Sequence, residues 1–115
     1  MFHDVCAHDT PLTDEYACTA AAFTLWLDGM LSDGWTFLSL DTLLSKPFSA
    51  RRRRCCALTF DDGFASLCAV VQPILTARSI PYTVYVATDY LGKAGYLTED
   101  ALKALAADPL CTIGS

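Results

Sequence analysis

The apolar positions along the chain alternate between helical and extended spacing. Met1 to Val5 reads as a short strand, followed by a polar loop through Pro11 and Asp14. From Thr19, the residues Phe23, Trp26, Leu27, Met30 and Leu31 recur at i, i+3, i+4, i+7 and i+8, one apolar face of a helix. Thr19 suits the N-cap of that helix, and Gly34 the left-handed position just past its end. Trp35 to Ser39 has the aromatic and β-branched content of a strand, and a helical turn through Leu43 and Leu44 stops at Lys46-Pro47.

Cys55 to Phe60 is nearly continuous in apolar character, as expected of a strand buried on both faces in a parallel sheet. Phe64, Leu67, Cys68, Val71 and Leu75 trace a second helical face, with a kink expected at Pro73. Pro81 to Thr88 predicts another strand. Thr98 caps a last helix that carries Glu99 and Asp100 in its first turn, where the helix dipole favours acids. Leu97 and Leu102 are spaced for a hydrophobic staple, the helix ends by Asp108-Pro109, and Cys111 to Ile113 begins one more strand. Strands alternating with helices predict βαβ units: an α/β fold with a parallel sheet or barrel. Active sites in such folds lie at the carboxyl ends of the strands.

Composition narrows the classes. With 115 residues, 53% of them hydrophobic and 18% charged, the chain has the make-up of a folded domain or part of one. A net charge of −5 argues against nucleic acid as partner. The basic run Arg51-Arg52-Arg53-Arg54 lies between structured segments and reads as a solvated loop, with contact to a polyanion or a membrane surface as the alternative. No run is long and apolar enough for a transmembrane helix, and the opening residues carry no secretory-signal pattern. Six cysteines, none in C-x-x-C spacing and two of them vicinal at Cys55-Cys56, read as reduced structural thiols.

The strand Cys55–Phe60 ends on Asp61-Asp62-Gly63. Adjacent carboxylates repel, so a pair at a rigid strand end points to a bound cation or to an acid kept basic. Taken alone, the same three residues would also suit an acidic turn capping the next helix. Gly63 permits a tight turn there.

Leu58-Thr59-Phe60-Asp61-Asp62-Gly63 resembles the first motif of the polysaccharide deacetylases, the carbohydrate esterase family 4 or NodB-homology domain. Met1-Phe2-His3-Asp4-Val5 resembles the opening of members acting on poly-N-acetylglucosamine, and Gly34-Trp35 through Leu44 the segment before their motif. Pro73-Ile74-Leu75, Ile80 through Val86, and Ile113-Gly114-Ser115 also fall where that family has similar stretches. The resemblance implies the N-terminal half of a distorted (β/α) barrel, seven- to eight-stranded when complete. It implies a metal-dependent hydrolase that removes N-acetyl or O-acetyl groups from a polysaccharide such as poly-N-acetylglucosamine, peptidoglycan or chitin, acting at the cell envelope or outside the cell. Asp61 would be the general base and Asp62 a ligand to a divalent metal, zinc or alternatively cobalt or nickel. Gly63 and His3 would line the pocket, although a plain hydrogen-bonded role competes for His3, and His8 reads as an exposed loop residue.

That family's second motif, His-Ser/Thr-x-x-His, brings two further metal ligands after an Ile-Gly-Ser/Asn stretch, and this chain stops at Ser115. Residues 1–115 are therefore expected to be the N-terminal part of one catalytic domain, inactive alone, with two histidine ligands beyond Ser115. Two other classes compete. A non-catalytic carbohydrate-binding or structural relative would share the fold. A phosphoryl-transfer enzyme of the haloacid dehalogenase type wants Asp-x-Asp-Gly, whereas Phe60 stands two residues before Asp62.

Overall fold

The computed structural model describes residues 5–6, 18–45, 54–61 and 63–114. Every ladder among them is parallel. Strand β1 (Val5–Cys6) pairs with β2 (Cys18–Thr19), and β3 (Thr36–Leu38) with β4 (Cys55–Ala57). The third ladder runs β5 (Thr59–Phe60), β6 (Tyr82–Tyr85), β7 (Cys111–Gly114) in chain order. Helices α1 (Ala20–Ser32), α2 (Leu40–Ser45), α3 (Gln72–Ala77) and α4 (Glu99–Ala106) fall between the strands. This is the parallel α/β arrangement that the alternation of elements predicts, and it fits the half-barrel that the family resemblance implies.

Helix α1 is bounded as its sequence dictates. The Thr19 hydroxyl accepts from the Ala22 amide at 3.1 Å. At the other end Gly34 takes φ +85°, its N–H donating to the Leu31 carbonyl and that of Trp35 to the Met30 carbonyl. These two bonds form the 6→1 and 5→2 pair of a Schellman ending. The apolar stripe is narrower than its periodicity suggests. Phe23 and Leu27 are buried, but Trp26 and Leu31 remain 40% exposed, because α1 meets the core along the line where Phe23 packs edge-on against Phe60, ring centroids 5.9 Å apart.

Two further expectations need correction. Cys55 to Phe60 is not one strand buried on both faces. It changes partners at Leu58: residues 55–57 pair with β3, residues 59–60 with β6. Burial alternates accordingly, with Leu58 and Phe60 buried and Thr59 half-buried. The second helix is not a single kinked rod either. A π-turn over Leu67–Val71, in which the Gln72 N–H reaches back to the Leu67 carbonyl, leads into α3 with Pro73 in its first turn. Proline is tolerated there because the N–H it lacks is one that a helix start leaves unpaired.

Other expectations hold. The Thr98 hydroxyl accepts from the Ala101 amide at 3.1 Å and starts α4. Leu97 is buried and Leu102 packs against the core. The Pro81 to Thr88 strand is shorter than expected, since the ladder ends at Tyr85 and a 3₁₀ turn occupies Thr88–Tyr90. Arg54 is exposed and its guanidinium donates to the Asp33 carbonyl. The cysteines at 55, 56, 68 and 111 are free thiols. No helix among the described residues is long and apolar enough to cross a membrane. The opening Met1 to Asp4, the Pro11–Asp14 loop, Lys46-Pro47 and Arg51 to Arg53 lie outside the described residues.

Candidate active site

Phe60 anchors the strand end. Its side chain is fully buried and meets Tyr82 edge-on, centroids 6.1 Å apart and planes at 89°. Asp61 follows directly, half-buried, where the β5 ladder stops. The register that pairs Phe60 with Val84 and Tyr85 with Gly114 sets Asp61 at the same end of the sheet as Tyr85 and Gly114. That is the carboxyl end, where a parallel sheet carries its site.

Gly63 is buried and left-handed, φ +70°, and a Cβ on it would come within 3.4 Å of Val86 Cγ1. A glycine is required here by conformation, with crowding as a second reason. At the end of β7, Gly114 is required by contact: a Cβ would lie 2.7 Å from Tyr85 Cε1. The Val86 N–H donates to the Gly114 carbonyl at 3.2 Å, tying the two strand ends together. Of the other sequence candidates, Asp62, His3, His8 and Ser115 lie outside the described residues. Asp61 and Gly63 are thus brought to one strand end.

Sequence reasoning missed the loop between β6 and α4. Its backbone is sewn to the turn after Asp61: the Leu97 N–H donates to the Gly63 carbonyl at 2.8 Å, and the Ala65 N–H to the Gly95 carbonyl at 2.9 Å. Phe64 and Tyr96 form an antiparallel bridge between these two bonds. Their rings stack at 4.9 Å, and the Tyr90 ring stacks on Tyr96 at 4.8 Å. Lys93 Nζ lies 5.7 Å from the centre of the Tyr90 ring. The available signal was the aromatic run of Tyr90, Tyr96 and their glycines between a strand and a capped helix, but nothing local said what it would meet.

A polar cluster sits at the opposite end of the β6–β7 ladder. The Asp108 carboxylate accepts from Tyr82 Oη at 3.0 Å, Gln72 Nε2 at 3.1 Å and the Leu110 N–H at 3.0 Å. Burial pushes Asp108 up, but these hydrogen bonds outweigh it and its pKa is lowered. Burial raises the Tyr82 hydroxyl and pushes the Cys111 thiol up to about 11. A surface depression of 440 Å³ lies elsewhere, lined by Ala20, Ala21, Thr24, Leu25 and Asp28 on α1, and holds none of the strand-end residues.

The chain belongs to the polysaccharide deacetylase family, whose sequence profile matches residues 49–115, the stretch containing the strand-end acids. Solved structures share its fold. A de-N-acetylase from Aggregatibacter actinomycetemcomitans superposes with a TM-score of 0.84 at 16% identity, over 99% of this chain and 52% of that one. IcaB from Ammonifex degensii gives 0.75 at 24% identity, over 98% and 51%. The Streptococcus pyogenes deacetylase PplD, solved with acetate, gives 0.74 at 20% identity, over 99% and 54%. The chain spans about half the length of these structures. No curated protein matches it.

Proposed function

We propose that this chain supplies the first acidic motif of a metal-dependent polysaccharide deacetylase that hydrolyses the acetamido groups of a polymer of the poly-N-acetylglucosamine, peptidoglycan or chitin class. The observation that carries the reading is the family match over residues 49–115, which includes a half-buried Asp61 at the carboxyl end of a parallel strand, before a left-handed glycine. Likeness to deacetylases over half their length supports the same reading.

Among the described residues no group of three His, Cys, Asp or Glu stands together to hold a metal ion, so they do not form a metal centre by themselves. The reading gives Asp62 one ligand position and draws two histidine ligands from outside the 115 residues, with zinc, cobalt or nickel as the ion. A bound divalent ion would supply carbonyl polarisation and a more acidic water. The part of Asp61 is separate. A carboxylate that does not ligate the metal stays free to take a proton from the attacking water. Gly63 lets the backbone turn sharply beside it, and Phe60, packed on both sides by rings, keeps the strand end from shifting. His3 remains a proposed pocket residue.

The test is acetate release from N-acetylglucosamine oligomers by the full-length protein with zinc, cobalt or nickel supplied. Asp61→Asn should lower kcat by about a hundredfold or more while metal affinity is kept. Asp62→Ala should weaken metal binding itself. The reverse pattern would exchange the two roles, and oligomer binding without any acetate release would support a non-catalytic relative. The 115 residues expressed alone should release no acetate.

A further inference from the structure

Beyond Phe60 the ladder that fixes β5 stops, yet the next residues carry the acidic motif. Among the described residues no side-chain hydrogen bond holds the Asp61 carboxylate. The described backbone that bears on its position is Phe60 behind and the turn through Gly63 and Phe64 ahead. That turn has no ladder of its own. What holds it is the Gly95–Leu97 segment, through the two backbone bonds that flank the Phe64–Tyr96 bridge. Tyr96 lies at the middle of this clamp in two senses. Its backbone sits between the two bonding residues, and its ring is the centre plate of the Phe64–Tyr96–Tyr90 stack. Stacked pairs of this kind contribute about 0.5–1.5 kcal/mol each beyond their buried area. The Tyr96 ring thus stacks against two other side chains of the same chain.

We propose that Tyr96 is a positioning residue for the Gly63–Phe64 turn that follows the acidic strand end, fixing it through Phe64 and the paired backbone rather than by touching substrate. The catalytic half of this inference rests on the reading of Asp61 as general base; the mechanical half does not. Both are tested in the full-length protein with Tyr96→Ala and Tyr96→Phe. In Tyr96→Ala, amide hydrogen exchange at Ala65 and Leu97 should speed up by about tenfold or more, while Thr83, bonded to the Leu58 carbonyl inside the β5–β6 ladder, keeps its rate. Acetate release should lose about tenfold or more in kcat with KM nearly unchanged, because a base moved by a fraction of an ångström still lets the polymer bind. Tyr96→Phe, which keeps the stacking ring, should restore both readouts. Unchanged exchange at Ala65 and Leu97 in Tyr96→Ala would overturn the clamp, whatever the activity. Faster exchange with kcat unchanged would overturn the positioning role. Equal acceleration at Thr83 would mean general loosening and would also overturn it. If the wild-type protein released no acetate at all, the deacetylase reading would fail, and exchange alone would still decide the clamp.

Discussion

A side chain on Gly63 would meet two obstacles: a backbone at φ +70°, and Val86 Cγ1 at 3.4 Å from the new Cβ. The left-handed region costs a residue with a Cβ about 1–2 kcal/mol, and the Val86 contact leaves little room for relief. Gly63→Ala should therefore lower unfolding free energy by about that amount, measured by denaturant titration. Asp61 and Gly63 were legible in the sequence because an acid pair followed by glycine at a strand end is a local signature, carried by consecutive residues. Phe64 and Tyr96 were not. They are separated along the chain by a helix and a strand, and no periodicity links two rings that meet only after the sheet has formed. Gly114 was quoted only as part of a resemblance, and the reason for it, the Tyr85 ring at 2.7 Å from a Cβ, lies on a neighbouring strand.

Helix ends were legible and strand partners were not. Thr98 and Thr19 cap their helices as their positions imply, since a cap involves residues three apart and needs no tertiary information. Thr98→Ala removes the acceptor for the Ala101 amide and should cost about 1 kcal/mol, read from the thermal midpoint. Because α4 begins two residues after buried Leu97, whose N–H is bonded to the Gly63 carbonyl, fraying there should also raise exchange at Leu97. The segment 55–60 was read as one strand because apolar content says how buried a residue is but not which neighbour it pairs with. Its hydrogen bonding is divided between β3 and β6, strands that lie on either side of it in the sequence and whose places only the tertiary structure decides. The π-turn before Pro73 has the same origin: the sequence announces an irregularity, and packing selects its form.

For the molecule as a whole, the alternation of elements made the parallel α/β fold legible, and the family profile and superpositions agree with it. The cluster at the far end of the β6–β7 ladder adds a dependence on pH that composition does not reveal. Burial raises Cys111 from 9.0 to about 11, so the folded chain holds that proton more tightly than the unfolded one. Its contribution is complete below pH 9 and is lost as pH rises towards about 11, with the raised Tyr82 hydroxyl acting in the same direction. Unfolding free energy should accordingly fall between these two values, and Cys111→Ala should flatten part of that fall in denaturant titrations across the range. The clamp at Tyr96 has a consequence of a different kind, in the order of assembly. Phe64 must wait for a partner that lies beyond all of α3 and β6, and closing so long a loop costs entropy that only the finished sheet repays. Asp61 needs only the β5–β6 pairing to reach the strand end, whereas the turn through Gly63 and Phe64 depends on contacts made across the longer loop. Formation of the turn should accordingly lag behind that of the β5–β6 ladder, which hydrogen exchange pulsed during refolding would show as later protection at Ala65 and Leu97 than at Thr83.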